Sequence, residues 1–593
     1  MTRLKLGVLL VGVLAISAVG VTAASAQQND AGFKTSRPSM LTTVMSGVQA
    51  TPLLTVGDEL NNKYRFESIP DGISVRTRGQ GRVDLFVNHE TSKVPFPYVT
   101  AGPTAANSEN DFDNAQLSRL ILNQHSAGVL NASFVIPSSA GYQRFCSNYL
   151  ATEKEGFDRD ILFTNEETPD YVLRQENSWP PAIGAANEKE AGLVVALDVR
   201  NGKHKPIYGM GRHNHENNVA IPGFDDLVVL SGDDTFTSGP LTIPAGGPLP
   251  AGTRQAQSQL YSYIAPDTES LLDDEGDLWA FVVDLPDDPA DPVVDDYYDF
   301  TPGSTQSVSG HFVQVPKRIA TGLDTDGSEL KAADLGYPLP PTDGSWQRDL
   351  RSTATPQIGI DGPQWVLEYW SQLNNVFQFV RVEDIAYDKR PGMENVVYIV
   401  DSGRGTAGIS QPGRSTNGRV WRMVFDPNEP TVVTSLSIVV EGDDNPVKTL
   451  DEIHQPDNIE STPNGLLVTE DPGSSQQFVL ADQGLPNATT ARLWFVPFSG
   501  TPQVVVKVNQ AEDGESTDVD DRPDGNWGAW ETSGIVDASA AFGRGTYLID
   551  VQAHTLWVEK APGEDTFIDA NTDPDFTYKR EGGQLLLLRI PGV

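Results

Sequence analysis

VDLFVNHE, residues 83–90, is a short apolar run that ends in an amide, an imidazole and a carboxylate. Its length suits a β-strand, and strands of this kind recur along the chain. DILFTNEE (160–167), GLVVALDV (192–199), DLVVLSGDD (226–234) and LWAFVVDL (278–285) lie in the first half. VVYIVDSG (396–403), RVWRMVF (419–425), GLLVTEDP (465–472), ARLWFVPF (491–498), TYLIDVQAH (546–554) and QLLLLRI (584–590) follow in the second. Turn residues bound each run, with 54 glycines and 42 prolines in the chain, and helical periodicity of any length is hard to find. The pattern predicts an all-β protein.

Many of these runs finish in acids or amides: Asn88-His89-Glu90, Asn165-Glu166-Glu167, Asp233-Asp234, Asp401 and Glu470-Asp471. Sheets arranged radially about an axis would bring the ends of their inner strands to one central mouth, where such groups converge. No repeat of fixed period marks the blades, so strand density and the recurring tip carry this reading, with a pair of β-sandwiches as the alternative.

The chain begins with two cations, an apolar run and Ala24-Ser25-Ala26, the pattern of a secretory signal over residues 1–26. An N-terminal extension over 27–75 and a propeller over 76–593 follow in this reading. No later stretch has the roughly 20 apolar residues that span a bilayer, so membrane insertion is not expected and the mature chain is read as secreted or periplasmic. The formal charge of −39 comes from 81 acids against 42 bases and repels nucleic acid and anionic membranes. Most of these carboxylates read as solvated surface, and a minority as oxygen ligands for hard cations. LDTDGSEL (323–330) and TDVDDRPDG (517–525) are incomplete as calcium loops and read as solvated turns. Thr235 to Gln257 and Pro286 to Asp299 read as insertions.

Candidate chemistry concentrates in four places. GMGRHNHENNVA (209–220) packs Arg212, His213, Asn214, His215, Glu216, Asn217 and Asn218 together, and so many polar groups do not bury without partners. Arg381 and Glu383 lie two apart, on one face of a strand. Asp457, Asn458 and Asp471 flank another strand, and Glu531 lies in a glycine- and tryptophan-rich segment. The sequence has no G-x-S-x-G elbow, no H-E-x-x-H helix and no phosphate-cradling loop, so serine-nucleophile and nucleoside-triphosphate chemistries find no support. Cys146 is the only cysteine, and it has no partner in the chain for a disulfide. Its thiol is either an inert core group or a soft ligand for a transition metal.

Taken together and in order, FVNHE, QRFCSNYL, ILFTNEE, GRHNHE, LSGDD, VRVEDIA and PDNI…NGLLVTED resemble the PhoX-type alkaline phosphatases, over about residues 80 to 560. The resemblance implies a six-bladed β-propeller with loop insertions and an axial site holding iron and calcium. It further implies a phosphate ester as the small-molecule substrate. Carried over by position, Cys146, Glu216, Glu383 and Asp471 resemble iron-site ligands, and Asn165 and Glu166 resemble calcium ligands. Arg381 matches the arginine that binds phosphate, and Asn88 the polar residue that faces the substrate. His213 and His215 have no counterpart. Val382 stands where the family usually has proline, Glu470-Asp471-Pro472 departs from its usual T-D-G, and paired arginines are missing from the leader. A calcium-only hydrolase and a calcium-stabilised binding propeller are the alternatives. Substrate identity and oligomeric state are not legible.

Overall fold

The computed structural model describes residues 31–66, 68–90, 114–169, 171–172, 188–235, 237, 240–286, 294–301, 303–349, 359–403, 417–442, 452–471, 489–510, 530–559 and 576–593, with backbone alone at 554–559 and 576–581. The leader-like segment and TDVDDRPDG lie outside these residues.

The chain is mostly β and forms a propeller-like ring of antiparallel sheets. Six strands lie at the inner edges of these sheets: β1 (Pro70–Gly79), β2 (Phe145–Ala151), β3 (His215–Ile221), β4 (Val382–Tyr387), β5 (Pro456–Ser461) and β6 (Glu531–Asp537). Each packs against the next, and β6 packs against β1. Outward from β1 run Arg82–His89, Gln116–Asn123 and Val129–Ile136. Outward from β2 run Ile161–Glu166, Val194–Asp198 and Lys203–Ile207. The sheets that begin at β3 and β4 share their outer edge, because Ser307–Gln314 pairs with Asp277–Val283 on one side and Glu429–Glu441 on the other. That union removes two exposed edges, which would otherwise invite pairing with another chain.

The expected division at residues 75 and 76 falls inside β1, and the supposed extension is woven into the ring. Gln49–Thr55 pairs with Phe576–Arg589 at the outer edge of the β6 sheet, and Leu41–Thr43 pairs with Gln503–Val508 beside the β5 sheet. Gln49–Thr55 and the last described strand therefore share one sheet, and Leu53, Leu54, Leu585, Leu586 and Leu588 bury in one apolar cluster. Removing each such side chain from water contributes about 1.5–3 kcal/mol.

The segment read as an insertion from Thr235 packs as scaffold. Leu241–Ile243 and Gly252–Arg254 form a ribbon, and its Leu241 and Ile243 bury with Trp346, Trp365 and Tyr369 against the helix α1 (Pro363–Leu373). LDTDGSEL is a surface turn in which Asp326 Oδ1 accepts from Ser328 N and Arg318 pairs with Asp324. Among the described residues no helix is long and apolar enough to cross a membrane.

Candidate metal centre

All six inner strands carry the same irregularity near their first residue. Along β1 the pairing steps from Pro70↔His89 to Ile73↔Val87, three residues against two, so one extra residue is accommodated. The identical step occurs at Phe145/Asn148, His215/Asn218, Val382/Ile385, Pro456/Ile459 and Ser533/Val536. A bulge of this kind bends the strand and re-aims a side chain. The first bulged residues of successive strands are Asp71, Cys146, Glu216, Glu383, Asp457 and Gly534. Five of the six carry a metal-capable side chain.

These side chains meet. Asp71, Glu90 and Cys146, then Cys146, Glu167 and Glu216, then Glu216, Glu383 and Asp457, form three linked groups whose ligand atoms lie within 4.8 Å of one another. Cys146 Sγ donates to Asp71 Oδ2 at 2.8 Å, and Ser147 Oγ donates to Glu216 Oε1 at 2.8 Å. Ser402 Oγ donates to Glu383. One sulfur among many carboxylates suits a soft or borderline metal beside hard cations.

A second position per sheet feeds the same cluster: the residue that follows the second strand. These are Glu90, Glu167, Asp234, Ser402 and Asp471; beside β6 the second strand runs on through Thr546–Glu559, and Val551 holds the equivalent register position, one residue after the partner of Ser533. Of the residues that precede them, paired with the start of each inner strand, Glu166, Asp401 and Glu470 are consumed by the scaffold. Glu166 accepts the N–H groups of Gln143 (2.9 Å) and Leu193 (3.2 Å). Asp401 accepts Arg419 N and Trp421 Nε1. Glu470 accepts His454 N, Arg492 N and Trp494 Nε1. The recurrent acidic tips legible in the sequence are thus mostly strand-end acceptors, and the cluster draws on their successors. Glu166, expected as a ligand, fills the structural position, and Glu167 takes the place beside Cys146 and Glu216.

The other expected residues divide. Cys146, Glu216 and Glu383 belong to the cluster. Asp471 Oδ2 lies 3.6 Å from Arg381 Nη1 at its edge. The Asn165 amide donates to the carbonyls of Ser147 (3.2 Å) and Glu216 (3.3 Å) and accepts from Asn218 at 2.8 Å, so it braces two inner strands. Asn88 is buried, and its amide donates to the carbonyls of Cys146 and Ser147. Its side chain supports the cysteine from behind. The rings of His213 and His215 lie tilted to each other with centroids 3.6 Å apart, both buried, and His215 bonds Ser231 Oγ at 2.8 Å. Burial holds the His215 ring neutral, with its pKa down to about 3. Sequence reasoning passed over Asp71 and noted Glu90, Glu167 and Asp457 without assigning them to the site; only knowledge of the bulge register singles them out.

Arg381 approaches through a backbone with φ +60, a left-handed conformation that is uncommon for arginine, and Arg144 and Gln455 immediately before β2 and β5 share it. Such conformations cost about 1–3 kcal/mol each and persist where their surroundings impose them. The Arg381 fork grips Asp234 with Nε–Oδ1 and Nη2–Oδ2 both at 2.8 Å, and Nη2 lies 3.3 Å from Glu383. Burial opposes its charge, but Asp234 and Glu383 keep the guanidinium firmly protonated.

Electrostatics set what the cluster can do. Burial, then the neighbouring carboxylates, push the acids Glu167, Glu216, Glu383 and Asp457 well above the usual range. Burial followed by Asp71, Glu216, Glu167 and Glu90 pushes the Cys146 thiol up. Without cations these groups retain protons, and cations would have to displace them. The donor set fits multivalent metal ions.

No protein-family model matches the sequence, and no curated protein does either. Among solved structures, a protein of unknown function from Dyadobacter fermentans aligns over 92% of this chain and 99% of its own, at 8% identity and TM-score 0.36. The computationally designed Ika8 protein aligns over 88% and 97%, at 7% identity and TM-score 0.26. A Trypanosoma rangeli sialidase aligns over 92% and 96%, at 10% identity and TM-score 0.20. At these scores the likenesses assign no activity.

Proposed function

We propose that this chain is a secreted, metal-dependent hydrolase of phosphate esters, built on a six-bladed β-propeller with iron and calcium at the axial cluster. The observation that carries the reading is the convergence of Cys146 with six carboxylates, Asp71, Glu90, Glu167, Glu216, Glu383 and Asp457, beside a partly buried guanidinium. The six inner strands packed in cyclic order support the blade count. The motif order that resembles the PhoX-type phosphatases supports the metals and the substrate.

Bound cations would neutralise phosphoryl oxygens and bring the pKa of a bound water towards neutrality. The chain's own residues then hold and orient the ester. Arg381 offers Nη1 towards the mouth beside Asp471, while Asp234 fixes the other edge of its fork. A phosphoryl group that draws on the full fork competes with Asp234, which makes the arginine's grip a property of the bound state. Carboxylates satisfied by cations also cease to repel an anionic ester. The test is hydrolysis of a generic aryl phosphate before and after exhaustive chelation. Activity lost on chelation and regained on adding iron and calcium supports the reading, and unchanged hydrolysis by metal-free protein overturns it.

A second reading rests on the same arginine. With Nε and Nη2 both committed to Asp234, Arg381 serves a structural ion pair in a cation-stabilised binding propeller. Cation binding and thermal stabilisation without hydrolysis favour that account.

A further inference from the structure

The sixth blade breaks the pattern of the other five. Its bulge residue is Gly534, and the residue that follows the partner of Ser533 in the ladder is Val551, so neither of the two positions that feed the cluster carries a ligand. Between them lies Asp550, opposite Ser533 in the ladder, at the position held by His89, Glu166, Asp233, Asp401 and Glu470 in the other blades. There the acids are scaffold acceptors, as the backbone N–H bonds of Glu166, Asp401 and Glu470 show. Asp550 is different. It is fully buried, and both of its carboxylate oxygens are without a hydrogen-bond partner.

An unpartnered buried carboxylate is among the most costly groups a fold can hold, and such groups are protonated, paired or bound to a cation. Gly534 indicates where Asp550 faces. A side chain at Gly534 would occupy the bulge position from which the other five ligands project, and its Cβ would lie 3.2 Å from Asp550 Oδ2, 2.9 Å from the Asp71 carbonyl oxygen and 3.1 Å from Ile73 Cγ1. With φ +45 and no side chain, Gly534 leaves that space to the acid behind it. Ser533 Oγ, one residue earlier, donates to Asp71 Oδ1 at 2.5 Å, which ties the same corner to the first blade.

We propose that Asp550 is the sixth blade's metal ligand, binding one hard divalent cation with Asp71 in the gap left by Gly534. This inference rests on the reading of the axial cluster as a metal centre and adds a ligand that the bulge register does not supply. Asp550 and Asp71 Oδ1 offer oxygen, the donor an ion of the calcium class prefers, while Cys146 Sγ lies against the other oxygen of Asp71. The cation ties blade six to blade one, where the ring closes.

The test counts cations by elemental analysis and calorimetric titration, with calcium alone added to chelator-stripped full-length protein. Asp550→Asn should bind one calcium fewer per chain, or bind one at least tenfold more weakly, with its other equivalents unchanged. Equal stoichiometry and affinity in wild type and variant overturn the role of Asp550 alone. A wild type that binds no calcium, iron or other divalent ion overturns the axial reading together with it. Asp550→Leu supplies a second readout if the amide variant does not fold. Removing an unpartnered buried acid should raise Tm in the stripped protein and abolish part of the rise in Tm that calcium gives the wild type. A rise in Tm on calcium equal to that of wild type overturns the proposal.

Discussion

The Cys146 thiol donates a hydrogen bond to Asp71 Oδ2 across 2.8 Å, joining the bulges of the first two inner strands. A thiol in that role is protonated, and burial among Asp71, Glu216, Glu167 and Glu90 keeps it so. A metal that takes the sulfur must expel that proton, and the affinity of such a site rises with pH.

Cys146→Ser keeps the donor to Asp71 and removes the soft ligand. Iron occupancy and any visible charge-transfer colour should be lost, with most of the activity, while sites made wholly of oxygen retain calcium. Iron-to-protein ratios measured on folded, monodisperse samples check this; equal ratios in wild type and variant remove Cys146 from the ligand set.

Arg381→Lys keeps a positive charge but cannot reproduce the two parallel contacts to Asp234. The expected outcome is a fall in kcat/KM on an aryl phosphate of about tenfold or more, equivalent to roughly 1.4 kcal/mol, with metal content unchanged. Wild-type kinetics with a lowered Tm would instead assign the arginine to a structural ion pair.

Two buried glutamates outside the cluster give the protein a pH dependence of definite sign. Burial raises Glu190 to about 8 and Glu368 to about 7, from an ordinary 4.5. A raised folded pKa means that the folded state binds more protons than the unfolded chain. The stability these groups contribute is present in full below pH 4.5 and is lost as pH rises through 7 to 8, with a slope of at most about 1.4 kcal/mol per pH unit for each proton. Tm should fall between pH 5 and 8, and Glu190→Gln should flatten the decline. Chemical denaturation across that range checks it; a wild-type curve that rises with pH would contradict the assignment.

Strand density and polar tips were legible in the sequence because each strand is a short apolar run closed by turn residues. The bulge register was not. Asp71, Cys146, Glu216, Glu383 and Asp457 share a structural position but no single residue type, so they look unrelated until the pairing of each inner strand is known. Glu166 and Glu167 differ only in which way the chain faces after the strand ends, a distinction that composition does not encode. The helix α1 escaped for a different reason: Gln364, Glu368, Ser371 and Gln372 do recur on one face at helical spacing, but the run is only 11 residues long and its polar face is buried like the face carrying Trp365, Tyr369 and Trp370. Burial of Leu241 and Ile243 against that helix likewise turns a glycine- and proline-rich stretch into scaffold.

Glu216 belongs to two of the three linked groups, beside Cys146 and Glu167 on one side and Glu383 and Asp457 on the other. The most direct test of a metal centre on the propeller axis is therefore metal content per chain by elemental analysis, compared between wild type and Glu216→Gln prepared identically. The account predicts stoichiometric metal in the wild type and the loss of at least one equivalent in the variant. A wild type without bound metal after loading, or a variant with the wild-type complement, would contradict it.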